Sequence, residues 1–210
     1  MNHDHDHDPA HDFDERAATW DDDPAKAERA RDIADAIRSR VELDPSMRVL
    51  EYGAGTGLLT QALRNDVGPV TLADTSAGMR QVIEDKIAAG LIPDARVWDV
   101  DLSTGPVPDE RFDLVVSAMV LHHVPDTRAL LASLAAMLEP GGHLCVADLD
   151  AEDGSFHGHG FEGHHGFDRQ ELSALLSQVG FVDVVVTDCG HVARESGEFS
   201  LFLATARTPA

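Results

Sequence analysis

The chain has 210 residues, of which 43% are hydrophobic, enough for one domain with a substantial core and too apolar for a disordered chain. Acidic residues outnumber basic ones 38 to 16, a formal net charge of −22, and no basic cluster exceeds two neighbours, so nucleic acid and anionic lipid are disfavoured partners. The longest mostly apolar run, Leu114 to Leu121, is far short of the ~18 residues of a membrane span; the start MNHDHDHDPA has no secretory pattern; and Cys145 and Cys189 stand without a CxxC, as in a reducing, cytoplasmic protein.

Residues 1–22 form a histidine- and aspartate-biased tail, expected to be ordered only near Phe13 and Trp20, which would dock on the single domain at 23–210. Asp23 as N-cap and Pro24 at the first helical position start a helix whose Ile33, Ile37 and Val41 form one apolar stripe. RVLEY (48–52) reads as a strand leading into glycines, and PVTLAD (69–74) as the next strand. Ser76 caps a helix carrying Met79, Val82, Ile83 and Ile87, which stops near Gly90. ARVWDVD (95–101) is a third strand, and FDLVVSA (112–118) a fourth with the nearly continuous apolar character of a buried parallel strand. Asp126 caps a helix with Leu130, Leu131, Leu134 and Leu138 that Pro140-Gly141-Gly142 ends, and HLCVADL (143–149) is the fifth strand. A Gly/His-rich loop at 150–167 precedes an Asp168-Arg169-Gln170-Glu171 capping box, and Gly180 stops the helix that follows. FVDVVVT (181–187) and EFSLFLAT (198–205), joined without a helix, pair as an antiparallel hairpin at the sheet edge. This alternation implies an α/β, doubly wound sheet, with its chemistry in the loops after the strands.

The first of these loops is Glu51-Tyr52-Gly53-Ala54-Gly55-Thr56-Gly57. Glycines at alternate positions allow a tight turn and let a ligand touch the backbone. No Gly-Lys-Ser/Thr follows, so this is not a phosphate loop, and Leu58 stands where the dinucleotide fingerprint needs a small residue. Glu51 at the strand end suits a cationic ligand better than a pyrophosphate. Asp74, about twenty residues on, is spaced to accept ribose hydroxyls. Asp101, with Leu102 packing on the ring, is placed to accept from an adenine amino group, or Asp99 if the register differs by two.

Five segments in order, VLEYGAGTG (49–57), VTLADTSAGM (70–79), VWDVDL (97–102), FDLVVSAMVLHHVPD (112–126) and LEPGGHLCVADL (138–149), resemble the class I S-adenosylmethionine-dependent methyltransferases. The likeness is greatest to the small type 11 and type 25 enzymes that act on small molecules. The resemblance implies a Rossmann-like, seven-stranded sheet of order 3-2-1-4-5-7-6, strand 7 antiparallel, with helices on both faces. It also implies S-adenosylmethionine as cofactor and S-adenosylhomocysteine as product. By position, Gly53, Gly55 and Gly57 would face the methionine part and Glu51 its ammonium side. Asp74 with Thr75 would hold the ribose, Asp101 and Leu102 the adenine, and Ser117 and Ala118 would line the methyl region.

Methyl transfer is an in-line displacement needing mainly alignment and desolvation. A base is needed only if the acceptor must lose a proton, and His122, ahead of His123, is the candidate, with a packing role as the competing reading. An Asn/Asp-Pro-Pro-aromatic motif and a Pro-Cys nucleophile are both missing, so the acceptor is expected to be a small molecule reacting at O, S, N or C, with no nucleic-acid or membrane partner. The oligomeric state is open. Of the twelve histidines, His3, His5, His7 and His11 read as a tail that binds metal only adventitiously. His157, His159, His164 and His165 read as a lid that contacts substrate rather than as a metal site, so no metal is assigned. Asp148 and Asp150, at a strand end, are weaker candidates for helping a metal or an acceptor. Two alternatives stay open: a non-catalytic methyltransferase-like or histidine-rich metal-binding protein, and a nicotinamide-dependent oxidoreductase.

Overall fold

The computed structural model describes residues 9–158 and 160–210. Its centre is one seven-stranded sheet: β1 (Val49–Tyr52), β2 (Val70–Ala73), β3 (Ala95–Trp98), β4 (Phe112–Ala118), β5 (Leu138–Leu149), β6 (Val182–Arg194) and β7 (Gly197–Arg207). The order is β3-β2-β1-β4-β5-β7-β6. Strands β1 to β5 are mutually parallel where they pair, and β7 runs antiparallel to both β5 and β6. This is the topology that the motif resemblance implies.

The helices are α1 (Pro9–Arg16), α2 (Pro24–Arg38), α3 (Leu58–Leu63), α4 (Ala77–Ala88), α5 (Thr127–Ala136) and α6 (Arg169–Val179), with one 3-10 turn at Ala17–Asp22 and another at Leu121–His123. Their starts follow local chemistry. The carboxylates of Asp23, Asp126 and Asp168 and the Ser76 hydroxyl each accept a backbone N–H of the first turn, relieving donors with no intrahelical partner.

Alternation along the strands feeds two cores. Val49, Leu114 and Val116 face one side with Ile33, Ile37, Leu59 and Ile83 from α2, α3 and α4. Leu50 and Val115 face the other with Leu130, Leu134, Leu172 and Leu176 from α5 and α6. Burying such a side chain is worth roughly 1.5–3 kcal/mol, so the helices are held on both faces by the strands' own pleat.

Three boundaries differ from expectation. Pro140-Gly141-Gly142 lies within β5, which starts at Leu138. A register shift between Phe112 and Leu114 in the β4 pairing absorbs these residues, and α5 instead ends at Ala136, with Met137 as its C-cap. β3 stops at Trp98, and Asp99, expected within it, instead pairs with Arg80 of α4. The hairpin strands are longer than expected and continue to Arg194 and from Gly197, where the glycine turn lets pairing run to the tip. No described helix is long and apolar enough to cross a membrane. Both thiols are buried, which pushes each up to about 12 and leaves them as small core groups.

Candidate active site

Strand order reverses between β1 and β4, and the crevice beyond their carboxyl ends is where such sheets bind ligands. The glycine turn after β1 lies there. It is tied to β2 by bonds from the Gly53 and Ala54 amides to the Ala73 carbonyl, at 2.8 and 3.0 Å. Gly53 has φ +67, and a Cβ on it would stand 2.3 Å from Val120 Cγ2. Gly55 has φ +56, and nothing lies within 4 Å of where its Cβ would be. One glycine thus accommodates a neighbouring side chain, and the other leaves open space beside the backbone.

Asp74 closes the turn from β2. Its Oδ2 accepts the Gly55 amide at 2.7 Å and its Oδ1 the Ser76 amide at 2.9 Å. Burial pushes its carboxyl above the ordinary value, against those two bonds. Thr75 presents its carbonyl to Arg80, whose Nη1 donates to both Asp74 O and Thr75 O at 2.8 Å. Gly57 caps α3 with left-handed backbone.

Glu51 is placed differently from its neighbours. It is 3% exposed, and its Oε2 accepts the amide of Thr60 at 3.0 Å and the Thr60 hydroxyl. It therefore ties β1 to the start of α3. Burial pushes it up to about 7, partly offset by the bonds from Thr60.

Asp101 sits after β3 in a turn of its own making, accepting Ser103 N and Oγ and Thr104 Oγ1. Desolvation raises its pKa, but these bonds outweigh that and hold the carboxyl below the usual range. The Tyr52 hydroxyl donates to Asp101 at 3.4 Å and accepts the amide of buried Leu102 at 3.3 Å. That hydroxyl is pushed up to about 12 by desolvation, with the Asp101 charge adding. Ser117 donates to the Tyr52 carbonyl at 2.9 Å, and Ala118 packs beside the core. Directly beyond, Met119 takes φ +60, a conformation costly for a side-chain-bearing residue and often found at functional turns.

The histidines after β4 are the densest chemistry in the crevice. His122 is 1% exposed and Asp148 is fully buried. His122 Nδ1 lies 2.6 Å from Asp148 Oδ1, and its amide donates to Asp148 Oδ2 at 3.2 Å. The His123 ring is 4.2 Å from His122, centroid to centroid, and 5.5 Å from Phe13. The loop from 150 to 167 folds over them, its ends joined by a bridge between Asp150 and Phe167. It brings His157 to 5.1 Å from His122 and stacks it on Phe161 at 3.8 Å. His164 and His165 go elsewhere. His164 bonds the Val124 carbonyl at 3.1 Å, and His165 lies 3.3 Å from Glu152. A cleft of about 490 Å³, lined by Asp153, Gly154, Gly158, Phe161 and His165, opens along this loop. His3, His5, His7 and His159 lie outside the described residues.

Sequence reasoning expected the segment before α2 to dock through Phe13 and Trp20 but missed its acidic anchors. Asp14 accepts the Ser76 hydroxyl at 2.5 Å and the Gly78 amide at 2.8 Å. Asp21 accepts the Thr56 hydroxyl at 2.6 Å and pairs with Lys86 at 2.5 Å. The tail's acidic bias was visible, but its partners are more than thirty residues away. The Asp148 tie had one signal, an acid inside the otherwise apolar run LCVADL (144–149).

This sheet order, with a glycine turn after β1 closed by an acid at the end of β2, defines the class I methyltransferase architecture. A methyltransferase-domain family profile matches residues 25–186, and the chain belongs to that family. Among curated relatives, it is 35% identical over 109 residues to the ubiquinone/menaquinone biosynthesis C-methyltransferase UbiE of Shewanella halifaxensis. That match covers 50% of this chain and 43% of the relative, so the chain spans less than half the length of that protein. Among solved structures, the N-methyltransferase NodS of Bradyrhizobium japonicum in complex with S-adenosylhomocysteine superposes with a TM-score of 0.73 at 21% identity, covering 97% of this chain and 100% of that one. The 1,6-didemethyltoxoflavin-N1-methyltransferase of Burkholderia thailandensis, bound to its substrate and S-adenosylhomocysteine, gives 0.74 at 20% identity, covering 96% and 87%.

Proposed function

We propose that the chain transfers a methyl group from S-adenosylmethionine to a small-molecule acceptor at O, S, N or C. The observation that carries this reading is the open, acid-closed turn at Gly55 and Asp74, set beside the imidazole group beyond β4. The backbone at Gly53 and Gly55 would lie along the methionine part. Asp74, whose oxygens keep lone pairs beyond the two amides they hold, would accept ribose hydroxyls, with Thr75 flanking. Leu102 and the Asp101 turn would border the adenine, and Ser117 and Ala118 the methyl region. Glu51 would act on the ammonium side only through the α3 terminus that it anchors. When bound, the cofactor supplies a methyl on sulfonium sulfur, an electrophile that is already activated.

The chain's own task is then to hold an acceptor, exclude water and accept a proton where one must leave. His122 and His123 would take that last part. A neutral His122 with Nδ1–H held by Asp148 presents Nε2 as a proton acceptor. Of the loop residues, His157 with Phe161 would shape the acceptor side, while His164 holds the Val124 carbonyl and His165 borders the cleft along the loop. The acidic surface, with its net charge of −22, favours small neutral or cationic acceptors over nucleic acid. Calorimetry with S-adenosylhomocysteine and with NADH tests the cofactor, and turnover on a panel of phenol, thiol, amine and enol acceptors tests the reaction. Binding of NADH without S-adenosylhomocysteine would overturn the reading.

A further inference from the structure

One ring nitrogen from each of His122, His123 and His157 lies within 4.8 Å of the others. Two of these residues come from the turn after β4 and the third from the loop after β5, so the group is assembled only by folding. It has the further features of a ligand set. Nδ1 of His122 is held by fully buried Asp148 at 2.6 Å, which fixes the ring and leaves Nε2 as the free donor. A carboxylate on the far nitrogen is the usual partner of a metal-bound histidine. His157 Nε2 is buried with no hydrogen-bond partner, and buried polar atoms are rarely left so. An incoming cation would satisfy it.

We propose that His122, His123 and His157 form a binding site for a divalent transition-metal ion, oriented by Asp148, with at least one coordination position open. Three neutral imidazoles suit zinc, cobalt or nickel rather than magnesium or calcium, which take oxygen ligands. Zinc–nitrogen bonds of about 2.0–2.1 Å put tetrahedral ligands about 3.4 Å apart, so the widest pair, within 4.8 Å, must draw in by up to about 1.4 Å. The movable member is His157, which lies between Gly154 and Gly158, both at positive φ.

Val120, two residues before His122, packs over Gly53 of the glycine turn, which puts the triad next to the crevice and its open position within the crevice's reach. Its ligand would be the methyl acceptor, bound through an oxygen or sulfur atom; this clause rests on the methyl-transfer reading, whereas the metal site does not. With the ion bound, His122 is a ligand and no longer a proton acceptor, so the two roles exclude each other.

The test is a titration of the chelator-stripped full chain with Zn²⁺ and Co²⁺, beside a full chain carrying H3N, H5N, H7N and H11N to silence the tail. One ion per chain should remain in the tail variant, and Co²⁺ should show the visible bands of a four- or five-coordinate imidazole site. Adding H157N should weaken binding more than 100-fold, and D148N 10- to 100-fold. Calorimetry with S-adenosylhomocysteine on the same samples reports the cofactor separately. Retained S-adenosylhomocysteine binding with no tail-independent metal would overturn this site and leave the methyltransferase reading standing. Metal binding without S-adenosylhomocysteine would do the reverse. Equal Zn²⁺ affinity in H157N and its parent would also overturn the site.

Discussion

Asp74 accepts the Gly55 amide at 2.7 Å, so the acid proposed to meet a ribose also shapes the turn proposed to meet the methionine part. One side chain thereby sets the spacing of two halves of a ligand. Asp74→Ala should weaken S-adenosylhomocysteine by about 1–3 kcal/mol, the range for removing a hydrogen-bonding partner from a buried site, or roughly 5- to 150-fold by calorimetry. Asp74→Asn should keep part of this, because its amide oxygen still accepts one N–H. Unchanged affinity in both variants would remove Asp74 from the ligand site.

The two glycines of the turn should fail in different ways. In Gly55→Ala the added methyl enters open space, so the protein loses only the left-handed backbone cost of about 1–2 kcal/mol while ligand affinity falls at least tenfold. In Gly53→Ala the methyl meets Val120 at 2.3 Å, so stability falls further, and Val120→Ala in the same chain should recover part of it. Thermal melts paired with calorimetry separate the cases. Equal stability loss in the two single variants would contradict the assignment of open space to Gly55.

Glu51 gives a pH signature. Its folded value, about 7, lies above its ordinary 4.5, with burial as the main cause. A carboxyl raised on folding binds more protons in the native state, so stability falls as pH rises from the unfolded value through the folded one. The loss runs from about pH 4.5 to 7 and is on the order of 3 kcal/mol. Glu51→Gln keeps an acceptor for Thr60 without the charge. Its melting temperature should therefore rise relative to the parent by several degrees between pH 4.5 and 8. A constant difference across that range would refute the buried carboxylate.

Much of this fold was legible because its signals are local. Asp23, Ser76, Asp126 and Asp168 each cap a helix through a bond spanning two or three residues, and such bonds depend on little beyond neighbouring sequence. The run FDLVVSA needed only its own apolarity to be placed as β4. The site was legible as loops but less so as contacts. Glu51 faces Thr60 because of the pleat of β1, which a strand end in sequence does not reveal. The meeting of His122 with Asp148 and His157 joins two strand-end loops, and only the parallel pairing of β4 with β5 brings them together. Pro140-Gly141-Gly142 read as a stop because proline and glycine end helices, yet here β5 continues through them alongside a register shift.

The acidic segment before α2 is anchored at its far end by one side chain. Asp21 accepts the Thr56 hydroxyl at 2.6 Å and pairs with the mostly buried Lys86, which also donates to the Thr56 carbonyl at 2.7 Å. Thr56 belongs to the glycine turn, so this contact fastens the segment to the ligand-binding backbone. Asp21→Asn should keep one weaker bond and lose the charge pairing, a change of about 0.5–1.5 kcal/mol. A segment held at the edge of a domain can open locally rather than with the whole fold, so the change should appear as roughly 2- to 12-fold faster amide exchange over residues 9–22. The melting temperature should barely move. Salt should narrow the gap between parent and variant, since only the parent holds a partly exposed charge pair there. Exchange rates that stay equal at low salt would show that the segment is held by Asp14, Phe13 and Trp20 alone.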